Sequence, residues 1–211
     1  SDMKNNAKTQ ENPTVEALAT SGAWLEKNKN TIITVAVAIF VIIGAYLGYT
    51  KLYQEPREIA AQSQNTQGLS FLAQGDYATA LVGDGTFIGF EKIASEYSGT
   101  DGGNLANLYA GLCCAHQNQY AEAINYLEEF EPQDDQSISA MALHALANCY
   151  AATNEIDKAV ETFKAAAEQA DNSALSPMCL IEAGKLLESQ GKNSEALKLY
   201  EQVKSDYPTA T

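Results

Sequence analysis

Cysteine and histidine are the residue types in this chain that could support nucleophilic, redox or metal chemistry. The four cysteines are Cys113, Cys114, Cys149 and Cys179, and no two of them are spaced as Cys-x-x-Cys. Zinc sites and dithiol redox sites need closely set pairs, so the spacing favours free structural thiols. A disulfide is the first alternative, and a metal or redox site is the second. The apolar neighbours of all four predict that each fills a small space in a core.

The remaining polar residues do not suggest a catalytic arrangement. His116 and His144 lie in different segments, and no serine or cysteine near them recurs as part of a triad. Acid pairs such as Glu128 with Glu129 are typical of a solvated surface. The Gly83–Gly85 segment lacks the lysine that a phosphate-binding loop requires. We therefore predict a protein that is not an enzyme and that needs neither a cofactor nor a metal ion.

The charge distribution divides the chain into two parts. Lys and Arg total 13 and Asp and Glu total 27, for a net charge of −14. Residues 1–58 contain six bases and six acids, so residues 59–211 carry the whole excess of acid. Nucleic-acid binding requires clustered Lys and Arg, which this chain does not have. The sequence thus predicts a neutral N-terminal part, an acidic body and no nucleic-acid partner.

The N-terminal part contains a segment that predicts a membrane anchor. Residues Asn30 to Thr50 form a run of 21 residues without a charge, NTIITVAVAIFVIIGAYLGYT. A helix of that length is about 31 Å long, which matches the hydrocarbon core of a bilayer. Trp24 precedes the run, and Tyr49 and Tyr53 stand at its other end, as interfacial aromatics do. We predict a transmembrane anchor over residues 30–53; a buried core helix is the alternative.

The flanking residues predict how the anchor is oriented. A cleaved signal peptide fits poorly, because the apolar run is long and no Ala-x-Ala site follows it. Four lysines precede the run, whereas only Lys51 and Arg57 follow it closely. The positive-inside rule therefore places residues 1–29 in the cytoplasm and the body in the periplasm, on a single-pass protein of the inner membrane.

Two weaker patterns accompany the anchor. Asn12 and Pro13 resemble a helix start, and apolar residues follow them at helical spacing, which suggests a short amphipathic helix on the inner leaflet. These apolar residues are Val15, Leu18, Ala19 and Leu25. Within the span, Gly44 and Gly48 form a Gly-x-x-x-Gly motif, which lets another transmembrane helix approach closely. The alternative is that small residues are simply tolerated there.

The acidic body contains one pattern four times: a small residue followed twelve positions later by an alanine. The pairs are Gly68 with Ala80, Gly111 with Ala123, Ala147 with Ala159, and Gly184 with Ala196. Successive small residues are 43, 36 and 37 positions apart, and a turn-like segment lies inside each pair. Antiparallel helices cross closely where small residues face each other. The pattern predicts an all-α domain of about four helical hairpins over residues 54–211.

These segments resemble the tetratricopeptide repeat, which has a small residue in its first helix, an alanine and an aromatic in its second, and a late proline. The residues that carry the resemblance are Tyr120, Ala123, Tyr150, Phe163, Ala166, Tyr200 and Pro208. The resemblance implies that the hairpins form a right-handed solenoid. Two departures stand out. Leu127 replaces an aromatic in the second unit, and an insertion over residues 82–100 is expected to delay the second helix of the first unit.

The whole layout resembles the bacterial membrane-anchored tetratricopeptide proteins similar to the ancillary subunit of the SecYEG translocon. This resemblance implies translocon subunits and a membrane-anchored prolyl isomerase chaperone as partners, with a role in handling envelope proteins. It therefore implies a non-catalytic interaction scaffold at the inner membrane. An envelope-assembly scaffold and a regulatory subunit of a membrane enzyme complex are the alternatives.

The repeat register predicts where a partner protein binds. Successive first helices of such repeats line a concave surface. Positions six and three before the small residue and one after it should face this groove, which is apolar at its centre and suits a hydrophobic helix or an extended peptide. The positions are Gln62, Asn65, Leu69, Leu105, Leu108, Leu112, Met141, His144, Asn148, Met178, Ile181 and Lys185. The alternative for each apolar residue is packing against the neighbouring repeat.

Overall fold

The computed structural model describes residues 13–208, and every regular element in that range is helical. The chain divides after Tyr53 into two units. Helix α1 spans Pro13–Tyr49 in the first unit, and a π-helical segment over Thr50–Gln54 crosses the division. Proline suits the first position of a helix because its fixed φ angle is already helical and its missing N–H has no partner there. Asn12, the predicted cap, lies outside the described residues.

Helix α1 exposes its apolar side chains. Phe40 is 73% exposed and Ile42 is 67% exposed, and none of the most apolar window of the helix is buried. By length and composition this helix could cross a membrane. A core helix of a globular protein would instead bury one face. Val15, Leu18 and Ala19 of the amphipathic pattern lie outside the described side chains, and Leu25 is exposed.

The second unit consists of helical hairpins. Its helices are α2 Glu55–Ala73, α3 Tyr77–Val82, α4 Phe90–Glu96, α5 Asp101–His116, α6 Tyr120–Glu129, α7 Ile138–Ala152, α8 Ile156–Ala170, α9 Leu175–Ser189 and α10 Asn193–Asp206. Helices α5 with α6, α7 with α8, and α9 with α10 form the last three hairpins. The first hairpin combines α2 with α3 and α4.

All four hairpin turns use the same hydrogen-bond pattern. Gly75, Asn118, Asn154 and Gly191 adopt positive φ angles of 74°, 61°, 65° and 75°. In each turn the residue after this one donates its N–H to a carbonyl five positions back, over 2.8–2.9 Å. This is the Schellman motif, which ends a helix through a left-handed residue. Glycine and asparagine tolerate that backbone best, so these residues set where every first helix stops.

The small residues of the first helices make room for large side chains of the second helices. A Cβ atom built on Gly111 would lie 2.5 Å from Leu127 Cγ, and one on Gly184 would overlap the ring of Tyr200. Leu127 and Tyr200 each follow their glycine by 16 positions. The expectation that small residues face each other is therefore incomplete. Each glycine also receives a bulky side chain, which locks the register of the hairpin.

The insertion in the first hairpin interrupts its second helix. The sequence had suggested that the insertion delays this helix, and that expectation is wrong. Helix α3 begins at Tyr77 in the expected register, and Ala80 is fully buried. The helix ends at Gly83, and Asp84 then accepts hydrogen bonds from the N–H groups of Thr86 and Phe87, both at 2.9 Å. The chain resumes as α4. The sequence signal for this break was the Gly-Asp-Gly segment.

Two aromatic residues of the insertion complete the first hairpin. Phe87 and Phe90 are fully buried, and their rings approach edge to face with centroids 5.5 Å apart. Both rings lie against Gly68, where a Cβ atom would come within 2.5 Å of Phe90 and 2.6 Å of Phe87. The residue 16 positions after Gly68 is Asp84, which cannot fill an apolar space. The insertion therefore supplies the bulk that Leu127 and Tyr200 supply in later hairpins.

Candidate protein-interaction surface

The predicted groove residues lie on helices α2, α5, α7 and α9, and the surface that they form is here called the first-helix face. These residues fall into three classes of exposure. Gln62, Leu69, Met141, Asn148, Met178 and Lys185 are exposed. Leu105, Leu112, His144 and Ile181 are half-buried, and Asn65 and Leu108 are buried. The exposed and half-buried members are available to a partner. The buried members are not.

Leu108 and Asn65 correct the groove prediction. Leu108 is 2% exposed and belongs to the core around α5. Asn65 is 4% exposed, and its Nδ2 donates a hydrogen bond of 2.7 Å to the carbonyl of Gly102, which ties α2 to α5. A position three residues before the small residue lies about 60° from it around the helix. On α5 that direction points into protein, because α2, α4 and α7 all pack against this helix.

A cleft of about 430 Å³ lies on helix α9 and contains three of the predicted residues. Met178 and Ile181 line it, together with Pro177 from the first turn of α9. Lys185 also lines the cleft, and its Nζ atom lies 3.1 Å from Glu182 Oε1. The one base of the predicted groove is thus paired with a neighbour on its own helix. The lining is of mixed polarity, and Met178 and Ile181 form its apolar part.

Exposed apolar side chains also lie on helix α7, which contacts α9. Met141 is 53% exposed and stands at the position equivalent to Met178, 37 residues earlier. Ile138 is 44% exposed in the first turn of α7, and the sequence reasoning did not include it. It lies nine residues before Ala147, whereas the groove was defined by positions six and three residues before the small residue. Including the position three residues further toward the N-terminus would have found Ile138.

The two histidines lie on different helices and have structural surroundings. The imidazole of His116 stacks on the ring of Tyr77, with centroids 4.2 Å apart. His144 meets Phe163 edge to face, and Asn148 Nδ2 donates to the carbonyl of His144 at 2.9 Å. Burial lowers the pKa of His144, against an opposing effect of Glu182. A lowered pKa favours the neutral imidazole at pH 7, which suits an apolar surface.

The cysteines are free, and all four are buried. Burial raises the pKa of Cys113 and Cys114 to about 12 and that of Cys149 and Cys179 to about 11. A thiol is a nucleophile or metal ligand only as its thiolate, so these residues act as core filler. Within residues 13–208, no group of three His, Cys, Asp or Glu side chains is placed to hold a metal ion.

Comparisons with known proteins agree with this architecture. The family model described as a tetratricopeptide repeat-like domain matches residues 22–210. Two crystal structures of the nearly identical TPR-like repeats of a putative kinesin light chain from Podosopora anserina are similar in fold. The first has a TM-score of 0.54 and 18% identity over 68% of this chain and 73% of that chain. The second, a form with one glutamine replaced by methionine, has a TM-score of 0.55 and 18% identity over 94% of this chain and 97% of that chain.

At 18% identity these structures show the fold alone. No curated protein matches the chain. The predicted all-α repeat fold is confirmed, and such folds typically serve as non-catalytic scaffolds that bind other proteins. Because the family model covers nearly all of the described residues, the chain belongs to the tetratricopeptide repeat-like domain family.

Proposed function

We propose that this protein is a membrane-anchored scaffold that holds a partner protein on the first-helix face of its repeat domain. The observation that carries the proposal is that apolar side chains of two neighbouring first helices are accessible, Ile138 and Met141 on α7 and Met178 and Ile181 on α9. Methionine is flexible and polarizable, so it adapts to different apolar partners. The partner chemistry that fits is an amphipathic helix or an extended apolar segment.

The anchor in this proposal is the apolar segment of α1 over residues 30–53. Its exposed side chains suit a lipid environment, and the lysine excess before it favours a cytoplasmic N-terminus with a periplasmic body. A Cβ atom on Gly44 or Gly48 would meet no protein atom within 4 Å, so this surface is open to another transmembrane helix. Protease added outside the inner membrane should then digest the repeat domain. A protected repeat domain would contradict this orientation.

The family resemblance suggests which partners the scaffold holds. We propose translocon subunits or a membrane-anchored prolyl isomerase chaperone. An envelope-assembly scaffold and a regulatory subunit of a membrane enzyme complex use the same surface with a different partner. Cross-linking in native membranes followed by mass spectrometry separates these possibilities, because it identifies the protein that touches the first-helix face.

The test of the surface itself uses substitutions that leave the fold intact. Met141→Glu with Met178→Glu places two charges on exposed positions, and such changes usually alter stability by less than about 0.5 kcal/mol. We expect the melting temperature to stay nearly unchanged while recovery of cross-linked partners falls. The matched control is Leu197→Glu, because Leu197 is 56% exposed on α10, away from the first-helix face. Unchanged partner recovery in the double variant would exclude this surface.

A further inference from the structure

The largest cleft among those described lies on the other side of the repeat domain, between helices α8 and α10. No Cα atom of one of these helices lies within 8 Å of a Cα atom of the other, and both helices pack on α9. The gap between them is a cleft of about 560 Å³. This volume is within the range of about 300–1,000 Å³ that is usual for binding sites. None of the residues predicted to bind a partner lines it.

The floor of this cleft is apolar. Ala167 of α8 and Leu180 of α9 line it and are 5% and 4% exposed. Leu199 and Tyr207 also line it and are half-buried. A recess with such a floor can hold an apolar side chain or the methylene stem of a long charged one.

The rim of the cleft is acidic. Glu168, Asp171 and Asp206 line it, and all three are exposed. Asp206 accepts a hydrogen bond from Ser205, whereas in residues 13–208 the carboxylates of Glu168 and Asp171 have no hydrogen-bond or ion-pair partner. Lys164, the one base on the rim, lies 2.9 Å from Glu161, which is outside the cleft. The cleft therefore presents uncompensated negative charge around an apolar floor.

Helix ends add to this negative field. Glu168 and Asp171 stand at the C-terminal end of α8, whose last turn contains no base, and Asp206 is the last residue of α10. A helix C-terminus carries a partial negative charge and favours cations, so acids at these positions are unfavourable for the isolated fold. Lys204 already stands in the last turn of α10, so a cationic group bound in the cleft would relieve that cost mainly at the end of α8.

We infer that this cleft is a second docking site, which takes a basic segment of a partner protein with an Arg or Lys at the rim and an adjacent apolar side chain on the floor. The charge of the cleft selects this occupant. An anionic lipid surface would be repelled, and the carboxylates are not grouped to hold a metal ion. The inference goes beyond the first-helix face, because the two surfaces share no residue.

The test uses the full chain in nanodiscs with ¹³C-methyl labels on leucine and methionine. The probe is the peptide acetyl-Gly-Leu-Arg-Leu-Arg-Gly-amide, and its glutamine analogue is the uncharged comparison. We expect the arginine peptide to shift the methyl signals of Leu180 and Leu199 and to leave those of Met141 and Met178 unchanged. The glutamine analogue lacks the charges that pair with the rim and should bind at least about fivefold more weakly. Binding is measured at low salt, because salt screens ion pairs at an exposed rim.

A matched pair of variants decides whether the rim carboxylates act locally. Glu168→Gln with Asp171→Asn should weaken binding of the arginine peptide by about fivefold, because two rim charges are lost. Asparagine tolerates the left-handed backbone of Asp171, where φ is 43°, so the fold is retained. The control Glu195→Gln with Glu201→Gln removes the same charge from exposed positions on α10 outside the cleft and should change affinity by less than about twofold.

Several results would overturn the inference. Equal losses in the two double variants would mean that only the net charge of the domain attracts the peptide. Equal affinity for the arginine and glutamine peptides would remove the role of the rim. If the peptide shifts only the signals of Met141 and Met178, it binds the first-helix face. If the Leu180 signal shifts with rising protein concentration in the absence of peptide, the occupant of the cleft is a second copy of the chain.

Discussion

Gly111 and Gly184 show how a single missing side chain sets the geometry of a hairpin. Each glycine occupies the point where its first helix meets a large side chain 16 positions later, Leu127 or Tyr200. In the third hairpin Ala147 occupies this position, with Phe163 at the same offset and 1% exposed. The size of the small residue and the shape of its partner are therefore matched within each hairpin, which is what close packing of a core requires.

Replacing Gly111 tests this match. Gly111→Leu should destabilise the repeat domain by about 1–3 kcal/mol, because overpacking forces side chains out of their rotamers. Adding Leu127→Ala should recover part of the loss, since the two side chains compete for one space. The control Ala165→Leu adds bulk at an exposed position of α8 and should change stability by less than about 0.5 kcal/mol. Denaturant unfolding is measured for the wild type, for Gly111→Leu and Leu127→Ala alone, for the double variant and for the control. Strictly additive effects of the two changes would contradict the match.

The cysteines give a second prediction at the scale of single residues. A thiol whose pKa is about 11 or 12 is ionised in about one molecule in a thousand or fewer at pH 8, and burial also blocks access to it. We expect a maleimide pulse at pH 8 to leave Cys113, Cys114, Cys149 and Cys179 unmodified in the native chain and to modify all four in urea. Mass spectrometry of the intact chain counts the adducts. Rapid addition to the native chain would contradict the burial of that cysteine.

Among the elements, helices α7 and α9 begin in equivalent ways that the sequence did not reveal. Asp135 accepts hydrogen bonds from the N–H groups of Ser137 and Ser139, and Asn172, 37 positions later, accepts them from Ala174 and Leu175. Burial alone would raise the pKa of Asp135, but the hydrogen bonds it accepts from the side chain and backbone of Ser139 outweigh burial and lower this pKa. Orphan N–H groups at a helix start need such acceptors.

Asp135→Asn makes the start of α7 resemble that of α9 and gives a prediction with a pH signature. Because the folded pKa of Asp135 lies below the unfolded one, its charge stabilises the fold above the unfolded pKa of about 3.9 and this contribution is lost as pH falls through the folded pKa. The variant should therefore melt at a lower temperature than the wild type at pH 7, and the difference should shrink below about pH 4. Asp134→Asn, at the exposed neighbouring position, is the control. A difference that is constant with pH would show that charge is not involved.

Across the whole molecule, the repeating features were predictable and the exceptions were not. The Gly and Ala spacing predicted the hairpins because every copy has the same inner offset, and the turn residues Asn118 and Asn154 fall where the helices stop. Leu108 was assigned to the groove because the position three residues before the small residue was treated as equivalent in every hairpin. The helices packed around α5 bury Leu108 at that position. Phe87 and Phe90 lie against Gly68 because the chain after α3 folds back onto α2, and the spacing of small residues does not indicate this. The acidic cleft likewise joins residues of three helices.

The division of the chain at Tyr53 separates the apolar segment of α1, which could cross a membrane, from the acidic repeats, and this gives the last prediction. Ten Ile, Val, Leu and Phe side chains in residues 30–50 favour insertion by about 3–6 kcal/mol. Val37→Lys with Val41→Lys near the centre should cost about 5–7 kcal/mol, enough to cancel that gain. The full chain should remain in the membrane pellet after alkaline carbonate extraction, and this variant should move to the supernatant. Val37→Leu with Val41→Leu keeps the segment apolar and should stay in the pellet. If the lysine variant also stays in the pellet, the apolarity of the α1 segment does not account for the membrane attachment.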